Sequence, residues 1–278
     1  MNTSVQVQVG SGSSEARAGS GAIECVQGKS GWARWWAVVV YAVAMAWVES
    51  AVVLYLRTLT GQMNPYPPPA IFFPKGIGIA ELIRELATLV MLGAVGCLAG
   101  RTWRSRFAYA LLGFGVWDIF YYIFLVPLTG WPRSLLDWDI LFLLPLPWWG
   151  PVIAPVLIAS LMILVGTLVG LIDRPSAPFW PARWSVLVNV LGILVALYVF
   201  MEDALRVVGQ GIEALQRVFP KQFDWPLFCL AIGLMLAPMF DLARQLKRRS
   251  ALRAVPPATP VAVNPMPEDP RRTESACI

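Results

Sequence analysis

The sequence predicts an all-α integral membrane protein. It should be a bundle of six transmembrane helices, with a short interfacial or re-entrant helix between spans three and four. Three observations carry this expectation. Apolar residues make up 57% of the 278-residue chain and charged residues 14%, where a soluble domain carries roughly 25% charge. The mean hydropathy is +0.62. Six apolar stretches reach the length of about 20 helical residues that a ~30 Å hydrocarbon layer demands.

Residues 1–31 are rich in Gly, Ser and Val, and no basic segment leads into an apolar one. That argues against a cleaved signal peptide, and the stretch reads as a disordered tail. Gly28-Lys29-Ser30 matches the end of a P-loop, but the glycine required five positions earlier is Ile23, which excludes the motif. The membrane domain covers residues 32–249. Its spans fall at Ala33–Leu56, Ile77–Leu98, Phe107–Leu128, Trp149–Ile172, Trp184–Ala204 and Trp225–Leu246. Trp35, Trp36, Trp103, Trp148, Trp149, Trp180, Trp184 and Trp225 mark many of their ends, as expected of indoles that prefer the headgroup zone.

The connections are equally readable. Asn64-Pro65-Tyr66-Pro67-Pro68-Pro69 predicts a stiff extended loop. Between spans three and four, Ser134 followed by Asp137 resembles a helix N-cap arrangement. It predicts a short helix from Leu135 to Leu144, stopped by Pro145 and Pro147. About ten residues cannot span a bilayer, so this helix, with Trp138 on it, is expected to be interfacial or re-entrant. Residues 250–278 are rich in Pro and Ala and read as a second disordered tail.

Orientation follows from the placement of Lys and Arg. If both termini are cytoplasmic, the inner segments hold fifteen Lys and Arg, and the outer segments hold only Arg57, Lys75, Arg133, Arg206, Arg217 and Lys221. The expected location is therefore a bacterial inner membrane with termini inside. The net charge of +5 is explained by this topology and implies no nucleic-acid partner. The implied partners are the lipid bilayer and a proton or small cation. No protein partner can be named.

Composition also removes whole classes of chemistry. With no histidine, zinc hydrolases, di-iron oxidases, histidine-ligated haem and Ser-His-Asp catalysis are excluded together. Cys25, Cys97, Cys229 and Cys277 show no C-x-x-C spacing and read as free thiols. No cofactor and no metal site are expected.

The informative residues are ionisable groups within the spans, because a charge in hydrocarbon costs several kcal/mol unless paired or hydrated. At about 1.5 Å per residue, Glu49 lies ~12 Å in from Arg57, Glu85 ~15 Å from Lys75 and Asp118 ~18 Å from Arg106. Glu81 and Glu85 share a helix face with Arg84 beside them. Asp118, Tyr121 and Tyr122 form a similar face on the third span, and Tyr198 with Glu202 another on the fifth. Four acids (Glu49, Glu81, Glu85 and Asp118) against Arg84 leave a formal −3. Either some of these carboxyls carry a proton, or a cation or a water-filled vestibule accompanies them. The plainer alternative is a packing clasp in which Arg84 grips one or two carboxylates. The candidate ligand or proton site is thus Glu49, Glu81, Arg84, Glu85, Asp118, Tyr121 and Tyr122.

Weaker signals read as packing. Gly96-Cys97-Leu98-Ala99-Gly100 and Gly166-Thr167-Leu168-Val169-Gly170 match G-x-x-x-G. Pro151, Pro155 and Pro238 are candidate kinks. Asn189 reads as a packing hydrogen bond, and Asp241 as a partner of Arg244 or Lys247.

Several strings are familiar: Glu49-Ser50-Ala51-Val52-Val53-Leu54-Tyr55-Leu56-Arg57, Arg84-Glu85-Leu86-Ala87-Thr88, Trp117-Asp118-Ile119-Phe120-Tyr121-Tyr122, and Gly130-Trp131-Pro132 leading to Trp138-Asp139-Ile140-Leu141-Phe142. Over roughly Trp47 to Leu161 the chain resembles a group of uncharacterised bacterial multi-pass inner-membrane proteins. That resemblance implies the membrane and no chemistry. Microbial rhodopsins require a lysine deep in a late span, and the near-span lysines here are Lys75 and Lys221, both at boundaries. CAAX-type intramembrane proteases carry paired Glu with Arg, which Glu81-Leu82-Ile83-Arg84-Glu85 resembles, but they also need histidines. Both families are excluded.

Three functions stay open. The first is a transporter-like or ligand-binding bundle whose outward-facing acidic site couples to protons or a small cation. The second is a membrane-embedded enzyme acting on a lipid headgroup, with paired carboxylates as acid and base. The third is a non-catalytic accessory subunit of a membrane complex.

Overall fold

The computed structural model describes residues 12–61, 77–143, 145–211, 215 and 222–254, with side chains from Gly31 onward except at Thr60, Ile77 and 252–254. The Pro-rich loop Asn64–Pro69, Leu144, Cys277 and the tail beyond Ala254 fall outside the described residues, as do Lys75, Arg217 and Lys221. The helices are α1 (Gly12–Thr60), α2 (Ile77–Ala99), α3 (Trp103–Thr129), α4 (Ile153–Ile172), α5 (Arg183–Val207), α6 (Trp225–Met235) and α7 (Ala237–Ala254). Backbone of α1 is helical from Gly12, inside the segment read from sequence as a tail.

Six stretches are long and apolar enough to cross a membrane: Gly31–Leu59, Gly78–Ala99, Trp103–Thr129, Ile153–Ile172, Arg183–Gln210 and Trp225–Ala251. Each coincides with a span expected from the sequence. Their outward faces are apolar: Leu98 is 85% exposed and Trp184 78%, a pattern that suits lipid and not water. The sixth span is two helices, α6 and α7, broken at Leu236 two residues before Pro238. This is where the missing proline N–H interrupts the helical ladder. The other two candidate prolines bend nothing: Pro155 sits in the first turn of α4, where its N–H is not needed, and Pro151 ends a strand.

By its contacts the chain divides into Met1–Leu242 and Ala243–Ile278. The second unit, as far as it is described, is the basic end of α7, with Arg244, Lys247, Arg248 and Arg249. The first contains everything that follows.

Within it α3 is the central helix, packed against α1, α2 and α4. Tyr109, Leu112, Val116 and Trp117 of α3 meet Val38, Ala42, Met45 and Ala46 of α1 and Leu92 of α2 in one buried cluster. Small residues set the spacing. A methyl at Gly115 would lie 2.5 Å from the Ala159 carbonyl oxygen of α4, and one at Gly166 would lie 2.6 Å from the Ala108 carbonyl oxygen of α3. Both G-x-x-x-G segments therefore serve close crossings onto α3, Gly96 against Ala110 and Gly166 against Leu112. Asn189 donates to the Met235 carbonyl at 3.2 Å, the packing hydrogen bond its position suggested. Asp241 accepts from the Ala182 backbone N–H.

The segment between α3 and α4 corrects the sequence reading. The expected short helix Leu135–Leu144 is absent, and a two-stranded antiparallel hairpin stands in its place: β1 (Trp138–Phe142) and β2 (Trp148–Pro151). As a result α4 begins at Ile153, where Trp149 was expected. The helix signal misled because the Ser134/Asp137 pair closes a turn. The Asp137 carboxylate accepts from the Arg133 and Ser134 N–H groups at 2.6 and 3.0 Å, and the Ser134 hydroxyl accepts from the Leu136 N–H at 3.1 Å. The chain then extends instead of winding on. A helix of about ten residues is marginal without tertiary support, whereas Trp138, Ile140 and Phe142 suit a strand.

Candidate functional site

The hairpin reaches into the bundle. Phe142 stacks on Phe114 with centroids 6.1 Å apart and meets Trp117 at 6.5 Å, both on α3. On the other side Trp148 stacks on Phe200 of α5 at 6.3 Å, with rings 6° from parallel. Phe114 is eleven residues into the 27-residue α3, so the tip lies ~16 Å along a helix ~40 Å long. Irregular backbone at such depth is tolerated only when protein or a polar cavity surrounds it.

Glu85 supplies part of that surround. Its Oε1 accepts the Leu143 N–H at 2.8 Å, just past the end of β1. Glu85 is 8% exposed, so this is a carboxylate closing a strand terminus inside the bundle.

Glu49 and Glu81 belong to a separate clasp. The Arg84 guanidinium grips Glu81 through Nη2 and Nε at 2.7 and 2.9 Å, and pairs through Nη1 with Glu49 across from α1. The side chains of Glu49 and Glu81 are 13% and 9% exposed, that of Arg84 29%. One base thus holds two acids and ties α1 to α2.

A second group lies on α3 beneath the hairpin. Asp118 is 9% exposed, and its Oδ2 is buried with no hydrogen-bond partner among the described residues. The Tyr122 hydroxyl donates to Asp139 Oδ2 of β1 at 2.9 Å. Asp118 and Asp139 feel each other's charge, and Tyr122 feels both. Burial pushes the Asp139 carboxyl up to about 6, against the opposing pull of the Tyr122 hydrogen bond, Arg57 and the Ile140 backbone. Arg57 itself sits 4.9 Å above the Trp131 ring and donates to Thr129 Oγ1 at 3.2 Å.

Tyr121 joins the two groups. It stands within electrostatic reach of Arg57 and Arg84 on one side and Asp118 and Asp139 on the other. Its carbonyl accepts from the buried Ser50 hydroxyl at 3.0 Å, which fixes α3 against α1.

All seven sequence-derived residues therefore lie in one region, in two linked groups: Glu49, Glu81 and Arg84 in the clasp, and Asp118, Tyr121 and Tyr122 under the hairpin, with Glu85 at its tip. Tyr198 and Glu202 do not join them. Tyr198 is 48% exposed, and Glu202 pairs with Arg206 at 2.6 Å near the end of α5. Sequence reasoning missed Asp139 and the inward role of Arg57. The signal for Asp139 was a carboxylate in the apolar run Trp138–Leu143, which escaped notice because that run was given to a short interfacial or re-entrant helix. With both added, five acids face two arginines, and the formal excess is still three negative charges.

Comparison with protein-family models, curated proteins and solved structures found no match for the chain.

Proposed function

We propose that this is a bacterial inner-membrane protein with cytoplasmic termini, a transporter-like bundle whose proton-binding site is Asp118 with Asp139 under the re-entrant hairpin. The observation that carries this reading is the buried Asp118 oxygen that no described donor satisfies, beside a second carboxyl already engaged by Tyr122. An ionised carboxylate left so would cost several kcal/mol in a bilayer. A bound proton removes the charge and turns the orphan acceptor into a donor. A proton fits better than a divalent metal, because among the described residues no three acid or thiol side chains converge on one point.

The test is thermal unfolding of detergent-purified protein from about pH 8 to about pH 5, with sodium, potassium, magnesium and calcium in turn. Wild type should respond to pH and not to the metal ions, and Asp118→Asn should reduce that response to the share carried by Asp139 while still folding. An unchanged pH response in Asp118→Asn would end the proposal. A response to one cation, lost in Asp118→Asn, would replace the proton by that ion.

A structural reading, the accessory subunit, draws on a different observation. The Arg84 clasp satisfies Glu49 and Glu81 without any ligand. If Asp118→Asn only changes the melting temperature equally at every pH, this reading takes over.

A further inference from the structure

A cavity of about 450 Å³ lies between α3, α4 and α5, with Trp148 of β2 on its wall and Met235 and Pro238 bringing in the α6–α7 break. That is the size of an ordinary ligand pocket. α5 packs against α6 and β2, and the cavity is the gap left between it and α3 and α4.

The lining is hydrocarbon and aromatic rings. Among the described residues the one polar residue on the wall, indoles aside, is Asn189, whose amide already donates to the Met235 carbonyl at 3.2 Å. A buried water needs about two to four polar partners, so this lining is unsuited to water. Its atoms gain dispersion energy only from a filling of their own kind.

Two observations say which apolar molecule fits. The first is access. Phe107, Val190 and Ile193 are on the cavity wall and are also exposed. The cavity is thus continuous with the apolar outer face of the spans and opens sideways onto it. The second is depth. The wall runs along α3 from Phe107 to Phe114, ~10 Å, and along α5 from Val186 to Phe200, ~21 Å. One leaflet of a ~30 Å hydrocarbon layer is ~15 Å thick, between the two. Trp180 marks the shallow edge, where it meets Trp103 with centroids 4.8 Å apart, as indoles do at an interface. The deep end is the stack of Trp148 on Phe200.

We propose that this cavity binds one acyl chain of a bilayer phospholipid, which enters sideways between α4 and α5 and ends against the Trp148–Phe200 stack. The bound chain then fills the gap between α4 and α5 and backs the outer side of the hairpin. Lipid tails are as apolar as the lining, so packing and not the hydrophobic effect selects the site.

The experiment is photolabelling of the full chain in phosphatidylcholine–phosphatidylglycerol nanodiscs. A trace of phosphatidylcholine carries a diazirine at mid-chain, and labelled residues are mapped by mass spectrometry. The half-buried Leu161 and Met162 should be labelled on the order of fivefold more than the exposed Leu98 and Leu194, the return of about ten close carbon contacts. Leu161→Trp and Ile193→Trp fill the cavity from opposite walls, and each should bring Met162 down to the level of Leu98. Ile193 is exposed, so its variant should fold. Leu164→Trp, on the exposed side of α4 away from the cavity, should leave the pattern unchanged. Wild-type labelling of Met162 no higher than that of Leu98, or no change in either filled variant, would overturn the proposal. Displacement of the label by an isoprenoid alcohol and not by unlabelled phospholipid would also overturn it, and would give the cavity to an isoprenoid chain.

Discussion

Acid should stabilise this protein through Asp139, and the size of the effect follows from its surroundings. In the folded state burial lifts this carboxyl to about 6, while in the unfolded chain it titrates near 3.9. Between those values the folded protein holds a proton that the unfolded chain has released. Stability therefore falls as pH rises from about 4 to about 6 and is flat above that window. Lowering the pH from neutrality to about 4.5 should gain about 2 kcal/mol from this group, or roughly 4–8 °C on the scale of domains this large. The residue as a whole keeps partial exposure, so these figures are upper bounds. Asp139→Asn removes the titration but keeps an oxygen for the Tyr122 hydroxyl. The measurement is the melting temperature of both proteins at closely spaced pH values in one detergent. The difference between the two curves isolates Asp139 from every other carboxyl. Parallel curves across the window would refute the reasoning, and so would a wild type that loses stability in acid relative to the variant.

Arg84→Met should strand Glu49 and Glu81 and cost roughly 3 kcal/mol, the low end for a broken buried pair because the guanidinium side chain keeps 29% exposure; denaturation in mixed detergent reads it, and Glu81→Gln in the same background should restore part of the loss. At the hairpin tip, Glu85→Gln keeps an acceptor for the Leu143 N–H and should be nearly neutral, whereas Glu85→Ala leaves that N–H orphaned and should cost about 1–3 kcal/mol. Gly115→Ala drives a methyl onto the Ala159 carbonyl and should cost about 1–3 kcal/mol in thermal unfolding. Gly93→Ala, which meets nothing within 4 Å, should be neutral or slightly stabilising.

The spans were legible because length and apolarity are one-dimensional properties. A helix that must cross hydrocarbon announces itself without reference to any neighbour. The same logic found the site, since a carboxylate such as Asp118 deep in a span is costly wherever its partners lie. Pairing was not legible. Helical spacing put Glu85 beside Arg84, yet Arg84 turned to Glu81 and to Glu49 on another helix, and Glu85 met the Leu143 backbone. The hairpin was the plain failure. Trp138 to Leu143 carries no periodicity strong enough to separate strand from helix, and the deciding contacts come from Phe114, Phe200 and Phe223, distant in sequence. Asp139 was lost with it, because a short helix read as interfacial or re-entrant has no fixed depth to argue from.

The hairpin also has a timetable. It is synthesised before α5 and α6, yet Trp148 and Leu141 pack into a cluster completed by Phe200 and Phe228 from those helices. A nascent chain that ends after Ile172 has its hairpin but only one wall to set it against. The hairpin therefore gains its second wall only with α5 and α6, so a chain truncated after Ile172 should leave Trp148 and Leu141 without the Phe200 and Phe228 side of their cluster.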